Sequence, residues 1–149
     1  MERVELRQFC FEHLDLFAWR ENDLKTYGIR SEIMDALTSA ADKGECWTAI
    51  YEGRILVIGG IIKHTEKTGY CFTLFSQYAD KNKIGAARTV RRMFNAMFEE
   101  MQLHRVVTYN RIGATEHNKW CEWLGFKFEG VAEKFDDDGN DYLQYALIR

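Results

Sequence analysis

Between residues 83 and 101 the apolar side chains Ala86, Val90, Met93, Met97 and Met101 step by four, three, four and four, and Phe94 and Phe98 widen the stripe. At 3.6 residues per turn all seven share one face, so Lys83–Met101 is predicted to be a long amphipathic helix that must bury that face. The runs before and after it, Tyr70–Tyr78 and Arg105–Tyr109, are short and rich in aromatic and β-branched residues, which is the pattern of strands. A strand, a long helix and a strand in succession predict one right-handed parallel crossover, and the hairpins elsewhere in the chain make the rest of the sheet antiparallel. Such a sheet needs helices on both faces.

The remaining segments fit that plan. Val4, Leu6 and Phe9 suggest a short opening strand, and Phe11 to Thr26 is read as helical although its apolar residues are irregularly spaced. Ser31 is a good N-cap for a short amphipathic helix that carries Ile33, Met34, Ala36, Leu37 and Ala40 and stops at Gly44. Cys46–Tyr51 and Arg54–Lys63, separated by Glu52-Gly53, read as a tight hairpin extended by the strand Tyr70–Tyr78. Thr115–Leu124 reads as a helix ended by Gly125, and Phe126–Phe135 with Tyr142–Ile148 as a closing hairpin across Asp136–Asp141. The expectation is a single α/β domain over residues 1–149, with about seven mostly antiparallel strands.

Composition narrows the classes of function. Lys and Arg number 20 against 23 Asp and Glu, a balance that disfavours grip on a nucleic-acid backbone. Cys10, Cys46, Cys71 and Cys121 lie far apart, with no spacing that suggests a metal site or a disulfide framework, and read as free thiols in a reducing cytoplasm. The N-terminal MERVELRQF is charged where a signal peptide is apolar, and no run approaches the ~18 apolar residues of a membrane span.

The start of the long helix, Asp80 to Arg88, is where chemistry is expected. The first amides of a helix have no partner inside it and carry partial positive charge, so the nearby cations Lys81, Lys83 and Arg88 are each unfavourable by ~0.3–1 kcal/mol. A bound phosphate resolves that conflict: Gly85 lets it approach the backbone, and Ala86 and Ala87 keep side chains away. A solvated basic turn ahead of a core helix explains the same residues equally well.

Asn82-x-x-Gly85-x-Ala87 resembles the Gln/Arg-x-x-Gly-x-Gly/Ala loop with which GNAT acetyltransferases hold the pyrophosphate of coenzyme A. The resemblance spans nearly the whole chain: the Glu52-Gly53 hairpin, Gly59-Gly60 on the next strand, a strand ending at Asn110, and Trp120-Cys121-Glu122-Trp123-Leu124-Gly125-Phe126 before a closing hairpin follow the family's order. It implies that the strands flanking the long helix splay apart and that acetyl-CoA lies in the gap. Lys83, Ile84, Gly85, Ala86, Ala87 and Arg88 would hold its phosphates, and backbone groups near Leu74, Phe75 and Ser76 its pantetheine amides and acetyl carbonyl. The implied activity is direct transfer of acetyl to a primary amine, small-molecule or protein-borne, with no metal and no covalent enzyme intermediate; a homodimer is left open. The resemblance also places Asn82 and Asn110 among the cofactor contacts. The chain departs from the family at Asn82, where Gln or Arg is usual, in a longer span from Ser76 to Gly85, and at Cys121, which stands where a tyrosine often protonates the leaving thiolate and is a candidate to donate that proton or a buried filler of the core.

Other residues carry paired readings. His117 is a candidate base, since a neutral imidazole accepts an amine proton near physiological pH, or a packing residue at a helix start. His64 and Glu66 approach a substrate from the open side or decorate a turn. The acidic run Asp136–Asp141 lacks the sixth-position Gly and twelfth-position Glu of a calcium loop and reads as a hairpin turn; the resemblance implies that this hairpin walls the acceptor side, where its charge would attract a cationic amine or a lysine-bearing partner. Trp120 and Trp123 read as core or as cover for a partner surface. The chain also resembles short acetyltransferase-like proteins of tailed phages, including small internal virion proteins, which implies a non-enzymatic structural or host-interaction module in virion or host cytoplasm.

Overall fold

Glu52 and Gly53 both take positive φ, 50° and 72°, which matches the twist of a two-residue hairpin and joins β2 (Gly44–Tyr51) to β3 (Arg54–Lys63). The computed structural model describes residues 4–20 and 31–149. From that hairpin the sheet grows outward to β1 (Glu5–Gln8) on one side and β4 (Thr68–Phe75) on the other, both antiparallel to their neighbours. A short helix α2 (Gln77–Lys81), following α1 (Ser31–Lys43), leads into the long helix α3 (Lys83–Glu100). The chain returns as β5 (Arg105–Arg111), parallel to β4, and continues through α4 (Thr115–Trp123) into the hairpin of β6 (Lys127–Ala132) and β7 (Tyr142–Ile148). The order is β1-β2-β3-β4-β5-β7-β6, a mixed seven-stranded sheet with one parallel pair.

Two apolar layers cover the sheet. On one face Val90, Met93, Met97 and Phe98 of α3 and Cys121 of α4 pack over Val57, Ile61, Cys71, Val106 and Tyr145. On the other, Leu37 and Ala40 of α1 and Phe17 pack over Cys46 and Ile58. Gly59 allows the first layer to sit close: a Cβ there would lie 2.6 Å from Met93 Cε. α4 ends where Gly125 turns to φ +96°, and the Phe126 N–H closes the last turn on the Cys121 carbonyl at 2.8 Å.

Several boundaries differ from the sequence expectations for local reasons. β4 stops at Phe75 rather than Tyr78, because the Ser76 hydroxyl accepts the Tyr78 N–H and starts α2. The extra length between Ser76 and Gly85 is this helical turn. The segment from Phe11 forms a six-residue 3-10 helix, Phe11–Leu16, in place of a longer helix; residues 21–26 of that expectation, and the side chain of the expected cap Ser31, lie outside the described residues. β6 ends at Ala132, three residues early, since Lys134 at φ +49° turns the chain and donates its N–H to Asp141.

Candidate functional site

β4 and β5 pair only through Thr68↔Arg105, Gly69↔Val106 and Tyr70↔Val107, although each strand runs on for four or five more residues. Beyond Tyr70 the two splay, and the wedge is floored by Cys71, Thr73 and Phe75 from β4, Thr108 and Asn110 from β5, and His117, Trp120 and Cys121 from α4. The Phe75 and Trp120 rings meet at 4.4 Å between centroids and His117 stands 5.8 Å from Phe75. Among the described residues these side chains line a cavity of about 30 Å³, room for a water molecule.

The N-terminus of α3 opens beside the wedge. Asn82 provides no side-chain cap, the first turn holds no acidic residue, and the first intrahelical bond runs from Ala86 N–H to Asn82 C=O at 2.8 Å. The amides of Lys83, Ile84 and Gly85 therefore lack helical acceptors. Residues 82–85 and Arg88 are exposed, and a Cβ at Gly85 would meet nothing within 4 Å. Ala86 is buried and Ala87 half-buried, so the anion seat expected from sequence is geometrically open on its outer side.

Charged side chains bridge the mouth between this helix end and α4. Lys83 Nζ lies 3.6 Å from Glu116, and Arg20 reaches Asp80 at 2.8 Å and Glu116 at 3.7 Å, with its guanidinium 5.3 Å from the Phe75 ring centroid. Arg20 is only 14% exposed and its Nε is buried without a hydrogen-bond partner. It arrives there because residues 18–20 run antiparallel to the end of β4: Trp19 bridges Ser76, and the Gln77 N–H donates to the Ala18 carbonyl at 2.9 Å. Arg20 carries no local sequence signal, since its partners Phe75, Asp80 and Glu116 are 55 or more residues away.

The three β4 residues expected at the acyl end do not behave alike. The Ser76 N–H donates to Leu56 O and its hydroxyl to Ile55 O, at 2.9 and 2.6 Å, so this fully buried serine fastens β4 to β3 and has no group left for a ligand. Leu74 turns to the opposite face of the sheet, among the residues packed under α1. Strand alternation directs the Phe75 amide toward the wedge, and Phe75 alone of the three also places its side chain there.

Cys121 and Asn110 are coupled: the Asn110 amide donates to Asn118 Oδ1 and to Cys121 Sγ, both at 3.2 Å. Burial pushes the Cys121 thiol up to about 11, against a smaller opposing effect of the Asn110 bond. A thiol that weak stays protonated but passes its proton uphill, by roughly 3 kcal/mol, to a thiolate of ordinary basicity near pKa 8.5. Burial thus works against the acid role that the resemblance suggests for Cys121. Among the described residues no group of three His, Cys, Asp or Glu is placed to hold a metal ion, and no helix is long and apolar enough to cross a membrane.

At the level of sequence, no family model and no curated protein matches the chain. Solved structures do match in fold. A GNAT family acetyltransferase from Elizabethkingia anophelis with acetyl-CoA bound superposes with a TM-score of 0.73 at 12% identity, over 98% of each chain. An acetyltransferase of the GNAT family from Bacillus anthracis gives 0.74 at 20% identity, over 99% of this chain and 97% of that one. Ard1 from Thermoplasma volcanium gives 0.78 at 12% identity, over 97% of each. The architecture is the GNAT acetyltransferase fold, including its single parallel, splayed strand pair.

Proposed function

We propose that this chain, built on the GNAT fold, transfers acetyl from acetyl-CoA to a primary amine by direct attack. The observation that carries the reading is the conjunction of a β4/β5 pair that separates after three residues with an uncapped, exposed helix end beside the opening. The residues fit the donor at its phosphate end: the free amides of Lys83, Ile84 and Gly85 can donate to anionic oxygens, Lys83 and Arg88 supply charge, and the open side of Gly85 leaves room for a close approach. At the thioester end the Phe75 and Trp120 rings meet at 4.4 Å over a cavity of about 30 Å³, so seating the acyl group between them means parting the two rings. Acetyl-CoA supplies an acyl group already activated as a thioester.

The protein's own contribution is positioning and polarisation. The Phe75 amide, turned into the wedge, is a fixed donor for a developing oxyanion, and His117 lines the same wedge as a candidate proton acceptor for the amine. Cys121, held protonated, serves as wall more readily than as acid.

The filled wedge favours a second reading, a non-enzymatic interaction module that keeps the fold without the donor. Calorimetry with acetyl-CoA separates the two. Binding that is abolished by Gly85→Glu supports the transferase; no heat at millimolar donor removes it. Mass spectrometry of the purified protein for a copurified acyl thioester, followed by a panel of amines, then tests turnover.

A further inference from the structure

The guanidinium of Arg20 is held by groups from three different elements. Phe75 at the end of β4 lies against it, with 5.3 Å to the ring centroid, Asp80 of α2 pairs with Nη2 at 2.8 Å, and Glu116 of α4 stands 3.7 Å from Nη1. The ring and the close Asp80 pair fix the cation in place. Glu116 is held differently. Its other carboxylate oxygen lies 3.6 Å from Lys83 Nζ, so one carboxylate stands between a largely buried guanidinium and an exposed ammonium, beyond hydrogen-bond distance of both. Its side chain is 60% exposed, against 14% for Arg20.

Two features make the place between Arg20 and Lys83 an anion seat and not only a surface ion pair. Among the described residues Arg20 Nε is buried with no acceptor, a state that native structures seldom keep unless an ion, a water or a ligand completes it. The charge balance is the other. Lys83 belongs to the uncapped end of α3, whose amides at 83–85 are free and whose first turn holds no acidic residue, so negative charge is favoured there. Asn82 adds no charge of its own: its side-chain amide turns back to the Tyr78 carbonyl at 3.4 Å. An exposed carboxylate is a weak occupant of such a place, because surface pairs contribute little and the side chain loses rotamer freedom to form them. A phosphate, with more charge and more acceptor oxygens, is a stronger one.

We infer that Arg20 is a phosphate-binding residue of the donor site, contributed from outside the 82–88 segment, and that Glu116 is its internal competitor. Glu116 fills the place between Arg20 and Lys83 until a phosphate of the donor takes it, while Asp80 keeps its pair with Arg20 throughout. The inference deepens the transferase reading and rests on it for the identity of the anion.

Competition gives Arg20 and Glu116 opposite signs in binding, which a purely structural ion pair does not. Calorimetry at low ionic strength is run with acetyl-CoA and, separately, with inorganic pyrophosphate. Arg20→Gln is expected to weaken binding of both by about tenfold or more, and Arg20→Lys to recover part of the loss. Glu116→Gln is expected to tighten both by about two- to fivefold, a gain that shrinks in the Arg20→Gln background and as salt is raised. Arg92→Gln and Glu122→Gln, exposed on α3 and α4, make the same charge changes away from the mouth and are expected to leave both affinities unchanged. Circular dichroism and Tm show whether Arg20→Gln keeps the fold; should it not, Glu116→Gln, which leaves Arg20 and its segment intact, decides. A Glu116→Gln protein that binds no more tightly than Glu122→Gln overturns the inference, as does a folded Arg20→Gln protein of parental affinity. If acetyl-CoA binds, Gly85→Glu abolishes it and Arg20→Gln leaves it unchanged, the transferase reading stands and this inference falls. If pyrophosphate binding depends on Arg20 but acetyl-CoA does not bind, the anion seat stands and the transferase reading falls. No heat with either anion removes both.

Discussion

Replacing Trp120 with alanine should move stability and donor affinity in opposite directions. The indole fills the wedge against Phe75 at 4.4 Å and packs on the buried core layer under α3 and α4 while remaining half-buried. Truncating a fully buried Trp costs ~3–5 kcal/mol, so the half-buried Trp120 should cost about 2–3 kcal/mol, or a fall in Tm of roughly 4–12 °C for a domain of this size. If acetyl-CoA must first part the two rings, its affinity is reduced by the energy of that contact, about 0.5–1.5 kcal/mol for an aromatic pair. Removing the indole lifts that cost, and Trp120→Ala should bind acetyl-CoA about two- to tenfold more tightly in calorimetry. Trp123→Ala is the control: that ring is 45% exposed, stacks on Arg91 with the guanidinium carbon 3.7 Å from its centroid, and lines no part of the wedge. A folded Trp120→Ala protein that binds the donor no more tightly than the parent refutes the idea that these rings close the site.

Gly85→Glu should abolish acetyl-CoA binding and leave the circular dichroism spectrum intact, because the added side chain projects into open space while its charge opposes the phosphates. Gly59→Ala should destabilise the fold by about 1 kcal/mol in urea titration, since the new methyl lies 2.6 Å from Met93 Cε and 3.3 Å from Thr73 Cγ2 and the buried Met93 side chain must repack; an unchanged midpoint refutes this. Burial raises the thiols of Cys46 to about 12, of Cys121 to about 11, and of Cys71 further still. These thiols stay protonated in the folded state at pH values where the unfolded chain has lost those protons. Stability is therefore whole below the ordinary thiol range and falls above it, by up to ~1.4 kcal/mol per thiol per pH unit, until Cys121 ionises near pH 11. Equal urea midpoints at pH 7.5 and pH 10 would contradict this.

Much of the fold was legible because its signals are local. The Met93, Met97 and Met101 periodicity located α3 to within a residue, and Arg54–Lys63 and Tyr142–Ile148 were read with their observed bounds, each being bounded by turn residues. β4 was read too long because Ser76-Gln77-Tyr78 continues the alternation of the strand, and only the Ser76 hydroxyl, acting on the Tyr78 amide, decides for a helix. In the site, the exposed helix end at Gly85 is legible from its unpaired amides, and His117, which the sequence offers as a base or as a packing residue, lines the wedge together with Asn110. Arg20 was not legible, since nothing near it in sequence announces Asp80 or Glu116 as partners.

The position of β7 between β5 and β6 has a consequence for how the protein comes into being on the ribosome. The outer edge of β5 is satisfied by β7, whose residues Tyr142–Ile148 are synthesised only after α4 and β6. Until they emerge, the second wall of the wedge is an unprotected edge, available for wrong pairing with other chains. The nascent protein should therefore acquire its β2–β3 hairpin and helices before the second wall of the wedge is secured, and become competent for any ligand of the wedge only once β7 has docked.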